Sequence, residues 1–153
     1  MTTGPAVVVI GVGDPMRRDD GVGPAVAAAL RPALGPGVAV RTCLGEATEL
    51  LAAWQGARLA VLVDAARAQP PRPGRVRRYD ALAGPAGPGT ATSSHAADLG
   101  SVIALGAALD RLPQRLVVYV VEVADTGYGQ GLSVPVQRAV PALCARIAAE
   151  IAG

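Results

Sequence analysis

Residues 7–23 read VVVIGVGDPMRRDDGVG, and this stretch decides how the chain folds. It begins with an apolar run that predicts a buried strand over residues 6–11. A Gly-x-Gly turn and a loop carrying Asp19 and Asp20 follow, and an alanine-rich segment then predicts a helix over about residues 21–30. A buried strand that runs through a glycine turn into a helix is typical of open α/β sheets, whose sites lie at the carboxyl ends of strands.

The rest of the chain repeats this alternation of strand and helix. Three more apolar strands are predicted at residues 38–43, 59–64 and 116–121, and three more helices at residues 46–54, 97–109 and 134–151. Residues 75–79 alternate arginine with apolar residues, which predicts a strand near a sheet edge. Its arginines form either a solvated face or a docking surface for a partner. The order of elements predicts an α/β fold of three layers around a mostly parallel sheet.

Composition limits the class of protein. The chain has 153 residues, which is most simply one domain over residues 1–153, and 51% of them are hydrophobic. The net charge of +2 is too small to argue for nucleic acid or an acidic membrane surface. No apolar run is long enough to span a bilayer and no signal peptide is recognisable, so we expect a soluble cytoplasmic protein. Cys43 and Cys144 lie far apart, without metal or redox spacing, which predicts buried thiols.

Common nucleotide-binding and hydrolase motifs are incomplete or missing. The first loop gives Gly11-x-Gly13-x-x-Met16, so the third glycine of the dinucleotide fingerprint is absent. The chain contains no lysine and therefore no phosphate-binding Gly-x-x-x-x-Gly-Lys segment, and it has no Gly-x-Ser-x-Gly elbow. A nucleotide-binding module is accordingly a weak alternative.

Three polar residues stand where a predicted strand or loop meets a helix. Asp20 follows the first glycine turn, Asp64 ends the third strand, and His95 precedes the helix predicted from residue 97. If the first and third strands are neighbours, their carboxyl ends place Asp20 and Asp64 at one crevice. The glycine-rich loop before His95 can bring the imidazole there. Two carboxylates and an imidazole form a mixed ligand set for a divalent ion such as zinc, nickel or manganese.

Each of these residues also has an ordinary structural role open to it. Asp19 or Asp20 can cap the helix that follows, since aspartate is a good N-cap. Asp64 can accept hydrogen bonds from the backbone after its strand, and a lone histidine such as His95 is often a hydrogen-bonded structural residue. From residue types and spacing alone, a metal site and these structural roles remain alternatives.

Four segments resemble the hydrogenase maturation proteases, the endopeptidases that trim the C-terminal extension from the large subunit of nickel-iron hydrogenases. They are residues 10–23, 61–65, 94–99 and 131–136, and they occur in the order and spacing of that family. The resemblance extends from about residue 7 to residue 151.

The resemblance implies a three-layer α/β/α sandwich with a five-stranded, mostly parallel mixed sheet, in which the strand at residues 75–79 is antiparallel. It implies an aspartyl-type endopeptidase in which Asp20, Asp64 and His95 are catalytic and ligate a metal. The ion is expected to be nickel already held by the hydrogenase large-subunit precursor, which is the partner and substrate. We expect the protease to act as a monomer. The alternative is a non-catalytic nickel-binding or assembly module for hydrogenase maturation.

The chain departs from the family pattern at three places. Asp14 stands where the family usually has asparagine, and Asp20 stands where relatives often have glutamate. The turn after the second strand reads Leu-Gly-Glu-Ala-Thr at residues 44–48, in place of a glycine-rich turn that is thought to help in substrate recognition. The resemblance therefore leaves open which hydrogenase is the substrate.

Overall fold

The chain is described here by a computed structural model that covers residues 4–83, 91–92 and 96–153. Its strands are β1 (Val7–Val12), β2 (Val38–Cys43), β3 (Leu59–Ala68), β4 (Val76–Asp80), β5 (Ala91–Thr92) and β6 (Arg115–Glu122). Its helices are α1 (Val22–Leu30), α2 (Ala47–Trp54), α3 (Ala96–Ala108) and α4 (Val134–Ala152), and the short 3-10 helix η1 (Arg18–Gly21) precedes α1. The predicted elements are confirmed to within a residue at each end, except at the end of β3. The two-residue β5 lies in a stretch predicted to be loop.

Five strands form a mixed sheet in the order β2-β1-β3-β6-β4. β1 lies between β2 and β3 and is parallel to both, and β3 is parallel to β6. β4 is the antiparallel edge strand, next to β6, and β5 pairs with the end of β3. The predicted α/β fold with a five-stranded, mostly parallel mixed sheet is confirmed.

Apolar side chains form two cores, one on each face of the sheet. The first core packs β1, β3 and β6 against α1 and α4, and the second packs the same strands against α2 and α3. β1 serves both, because Val7 and Val9 enter the first core while Val8 and Ile10 enter the second. Burial on both faces is the physical reason why its sequence is apolar at every position. Among the described residues, no helix is long and apolar enough to cross a membrane.

β3 is longer than predicted, so Asp64 lies inside the strand and not at its end. Its pairing with β1 stops at Gly11 and Val63, whereas its pairing with β6 continues as far as Ala66 and Glu122. Asp64 is thus the first residue of β3 beyond the part that pairs with β1. The prediction that Asp64 ends its strand is wrong, yet the residue still lies at the carboxyl edge of β1.

The arginines of β4 are ion-paired, so the expected solvated face describes them only in part. Arg77 Nε lies 3.3 Å from Glu122 Oε2, on the face that carries α2 and α3. On the other face, Arg78 Nε donates to Glu150 Oε1 of α4 at 2.6 Å, and the Tyr119 hydroxyl donates to the same oxygen at 2.9 Å. These bonds attach the C-terminal end of α4 to the sheet edge.

Glu150→Gln is expected to destabilise the fold at neutral pH by about 1 kcal/mol, the usual range for a partly exposed charged hydrogen bond. The hydrogen bond from Arg78 is the main reason why the pKa of Glu150 lies below its ordinary value. A depressed carboxyl pKa stabilises the fold above the unfolded-state value and loses that contribution as the pH falls through the folded-state value. Urea unfolding of both proteins should therefore show a difference at pH 7 that shrinks below about pH 4.5. A difference that grows in acid would contradict this assignment.

Candidate active site

Two glycines allow the segment after β1 to return close to the strand ends. Gly13 has φ +143°, and a Cβ there would lie 1.9 Å from the carbonyl oxygen of Asp20. A Cβ on Gly23 would lie 2.5 Å from the Val12 carbonyl oxygen and 2.6 Å from that of Val63. Backbone atoms cannot yield to such contacts, so glycine is required at both positions. The glycine pattern therefore serves to pack η1 and the start of α1 against the carboxyl ends of β1 and β3.

Asp20 lies in η1, and it is only 4% exposed. One of its carboxylate oxygens, Oδ2, accepts the backbone N–H of Asp14 at 2.8 Å. The N-cap of α1 is Gly21, so the alternative in which Asp19 or Asp20 caps that helix is wrong. Asp14 itself closes the loop, because its Oδ1 accepts the N–H of Met16 at 2.9 Å.

Asp64 is 6% exposed, and η1 packs against its strand, β3. Its Oδ1 accepts the N–H of Ala65 at 2.8 Å, a hydrogen bond from the backbone within β3 and not, as the structural alternative had foreseen, one from a loop after the strand. The structure thus brings Asp20 and Asp64 to the same end of the sheet, at the carboxyl ends of β1 and β3. His95, the third predicted site residue, lies outside the described residues.

The two acids fit the oxygen part of the predicted ligand set. Carboxylate oxygens suit divalent cations, and hydrogen bonds from neighbouring groups orient such ligands. Asp20 and Asp64 are both buried and both held by a backbone N–H. Within the described ranges, however, no three histidine, cysteine or acidic residues group closely enough to hold a metal ion. The described chain therefore supplies two oxygen donors to such a site.

Cys43 and Tyr79 lie within electrostatic reach of Asp64. Burial raises the pKa of the Cys43 thiol; a backbone hydrogen bond at Gly45 opposes this, while the charges of Glu49 and Asp64 add to it. Burial and then the Asp64 charge raise the pKa of Tyr79. A thiol with a raised pKa is mostly protonated at neutral pH and is a poor nucleophile. Burial therefore makes Cys43 less reactive than an exposed thiol, and both cysteines are half-buried free thiols rather than fully buried ones.

Asp19 is fully buried, and its hydrogen bonds indicate a structural role rather than that of a metal ligand. Its carboxylate accepts the backbone N–H groups of Ser133, Ala124 and Asp125 at 2.6, 2.9 and 3.1 Å, and the Ser133 hydroxyl at 2.8 Å. Burial alone raises the pKa of Asp19, but these four bonds together hold it below its usual value. The carboxylate therefore stays ionised and joins η1 to the connection between β6 and α4.

Glu122 is a further buried acid, and it was not among the predicted site residues. It is 1% exposed and lies at the end of β6, on the same sheet face as Asp64 because Ala66, two residues after Asp64, is its pairing partner. Its Oε2 is 3.3 Å from Arg77 Nε and 3.7 Å from Arg75 Nε, while its Oε1 has no hydrogen-bond partner among the residues that the structure describes. An acid directly after a run of apolar residues, as at Asp64, is the sequence signal that could have identified Glu122.

An open groove adjoins the end of the sheet where the carboxyl ends of its parallel strands lie. It has a volume of about 520 Å³ and begins one residue after Cys43. Its walls are the turn before α2 and one side of α3, with these lining residues: Leu44, Gly45, Glu46, Ala47, Ser101, Val102 and Leu105. Leu44 and Leu105 are large apolar side chains that remain exposed there. The groove is therefore suited to an apolar segment of a partner chain.

Several solved structures share this fold. The hydrogenase maturating endopeptidase HybD from E. coli is 20% identical, with a TM-score of 0.79 over 95% of this chain and 91% of that one. The [NiFe] hydrogenase maturation protease HybD from Thermococcus kodakarensis is 20% identical, with a TM-score of 0.73 over 96% of this chain and 99% of that one. The protease HycI from the same organism is 20% identical, with a TM-score of 0.66 over 97% and 94%. At such identities the likeness establishes the fold alone.

Sequence comparison supplies the family. No curated protein sequence matches the chain. A family model described as hydrogenase maturation protease does match it, over residues 45–150, which include Asp64 and most of the elements described above. Because this match spans most of the chain, the protein belongs to the hydrogenase maturation protease family.

Proposed function

We propose that this protease removes the C-terminal extension from the large-subunit precursor of a nickel-iron hydrogenase after nickel has been inserted. In a chain of this family, the observation that carries the proposal is the pair of buried carboxylates, Asp20 and Asp64, at one end of the sheet. The reaction is a hydrolysis in which water adds across one peptide C–N bond. It leaves a new carboxyl end on the subunit and a free amino end on the released extension.

Nickel enters this proposal as part of the substrate. Asp20 and Asp64 would supply oxygen ligands to the precursor's ion, and His95 a nitrogen ligand. The backbone N–H groups of Asp14 and Ala65 hold the two carboxylates in place before the substrate arrives, which lowers the cost of reorganisation on binding. A precursor without nickel offers no cation to these buried charges, so it should bind more weakly. This difference is the proposed basis for processing only the metal-loaded subunit.

We place the C-terminal extension of the precursor in the groove between residues 44–47 and α3. The groove begins next to Cys43, whose thiol lies within electrostatic reach of Asp64, so an extended peptide in it would pass close to the acids. Leu44 and Leu105 give it an apolar lining that a neutral segment can cover. The same turn differs from the family pattern, which makes it the place where preference for one hydrogenase would be set.

Leu105→Ser is expected to raise the KM for the nickel-loaded precursor about fivefold, because burial of a half-exposed leucine contributes about 1 kcal/mol. The kcat should change little, since the substitution is remote from the acids. Leu109→Ser is the matched control, because Leu109 is 50% exposed, Leu105 is 44% exposed, and only Leu105 lines the groove. Equal KM values for the two variants would exclude the groove as the binding site.

The main experiment uses nickel as its variable. The protein is incubated with the purified large-subunit precursor, with and without nickel, and the released peptide is detected by mass spectrometry. We expect release of a C-terminal peptide only from the nickel-loaded precursor. Equal cleavage without nickel would contradict the proposed selectivity. Binding without release would favour the non-catalytic nickel-binding or assembly module.

We also propose that the protein works as a monomer in the cytoplasm, with the precursor as its partner. Light scattering after size-exclusion chromatography should give a mass close to 15.3 kDa for the free protein. A stable dimer under the conditions of the cleavage assay would overturn this part of the proposal.

A further inference from the structure

We propose that Asp19 is a positioning residue that holds Asp20 in its working place by tying η1 to the connection between β6 and α4. The inference rests on the proposed function in one respect, namely that Asp20 contacts the substrate's metal. The position of Asp20 can nevertheless be measured without any substrate.

The Asp19 carboxylate connects η1 to a distant segment of the chain. Three backbone N–H groups and one hydroxyl donate to it from the segment 124–133, more than a hundred residues further along the chain. In the reverse direction, the backbone N–H of Asp19 donates to the Asp125 carbonyl oxygen at 2.8 Å. Hydrogen bonds to an ionised acceptor are stronger than neutral ones. Asp19 therefore fixes η1 from its side chain and its backbone at once.

The backbone is strained at the entry to η1. Arg18 has φ +48°, in the left-handed region that a side chain with a Cβ disfavours. Such a residue is strained and persists only where its surroundings enforce it. Here the Arg18 N–H donates to the Gly129 carbonyl oxygen at 2.9 Å, and the next residue, Asp19, is held as described. Without the Asp19 carboxylate, this strained turn would be held less firmly, by the backbone bonds of Arg18 and Asp19.

Asp20 lies within η1 and is hydrogen-bonded to the loop that precedes it. Asp20 follows Asp19 directly, its N–H donates to the Arg17 carbonyl oxygen at 3.0 Å, and its Oδ2 accepts the Asp14 N–H at 2.8 Å. Its carbonyl oxygen also faces Gly13, where even a methyl group would not fit. A shift of η1 would therefore move the Asp20 carboxylate away from the Asp14 N–H and from Asp64.

The test compares Asp19→Asn with the wild-type protein in two independent measurements. The amide nitrogen of asparagine cannot accept a hydrogen bond. The bonds that one of the two Asp19 oxygens accepts are therefore lost. Cleavage of the nickel-loaded precursor should fall about 10- to 100-fold in kcat, as expected for a misplaced catalytic group. Hydrogen exchange at the Asp14 amide, which reports directly on the Asp20 carboxylate, should become about tenfold faster through local opening.

Two further sets of variants separate positioning from general stability. Ser133→Ala removes one of the four bonds and should give a smaller change of the same kind, whereas Ser133→Thr keeps a hydroxyl and should restore wild-type behaviour. Glu150→Gln replaces a hydrogen-bonded carboxylate at the far end of α4 and should leave the Asp14 amide unchanged. Unchanged exchange at Asp14 in Asp19→Asn, or an equal loss of cleavage in Glu150→Gln, would overturn the inference. If the wild-type protein does not cleave the precursor, the proposed function fails and the exchange measurement still decides the role of Asp19.

Discussion

Asp20→Asn is expected to reduce cleavage of the nickel-loaded precursor about a hundredfold or more, the usual cost of removing one preorganised charge-stabilising group. The substitution keeps the size of the side chain and one acceptor for the Asp14 N–H, but it removes the charge that would face the substrate's metal. Steady-state rates measured by mass spectrometry of the released peptide provide the test. Circular dichroism on the same sample shows whether the variant is folded.

The matched control is Asp14→Asn, six residues earlier in the same loop. Asparagine keeps the Oδ1 acceptor for the Met16 N–H, and the family usually carries asparagine there, so kcat/KM should stay close to that of the wild-type protein. A loss equal to that of Asp20→Asn would mean that the summed charge of the loop matters, and not Asp20 itself. Undiminished cleavage by the double variant Asp20→Ala, His95→Ala would remove both residues from the site.

Trp54→Ala is expected to lower the free energy of unfolding by about 3–5 kcal/mol, as is usual when a large buried aromatic side chain is removed. Trp54 is fully buried at the end of α2, within the core that α2 and α3 share with the sheet. Its Nε1 also donates to the Arg111 carbonyl oxygen at 2.8 Å, just beyond the end of α3. The loss would therefore loosen the layer that carries one wall of the groove. Urea unfolding followed by circular dichroism measures the effect.

Trp54→Phe separates packing from hydrogen bonding. It keeps a ring in the core but leaves the Arg111 carbonyl without its indole donor, so its cost should be smaller, at about 1–3 kcal/mol. A surface change such as Leu109→Ser should stay within about 0.5 kcal/mol. If Trp54→Ala cost no more than that surface change, α2 would not be held by this core.

The architecture could be predicted from the sequence alone, because a strand that is buried on both faces of a sheet is apolar at every position. β1, the first part of β3 and most of β6 are apolar at consecutive positions, which suits only strands covered by helices on both sides. β4 alternates arginine with apolar residues, and it is the antiparallel strand at the edge. The glycine turn after β1 likewise predicted the close return of the chain to the carboxyl ends of the strands.

The tertiary structure decided where β3 ends. The apolar run stops at Asp64, so the pattern predicted an end there, but the strand continues to Ala68. It continues because β6 still pairs with Ala65 and Ala66, and β5 pairs with Arg67 and Ala68. A strand lasts as long as its neighbours supply hydrogen bonds, and those neighbours come from distant parts of the chain.

The tertiary structure also separated the two adjacent acids at residues 19 and 20. Sequence spacing offers both Asp19 and Asp20 to the same site, and the family resemblance favours Asp20. In the fold, Asp19 accepts its four bonds from residues 105 to 114 positions away, while Asp20 lies on the β1 and β3 side of η1 against Gly13. The residues next to Asp19 in the sequence do not indicate these distant hydrogen-bond donors. The composition of each element thus determined the sheet, and only the long-range hydrogen bonds showed that Asp19 supports the structure.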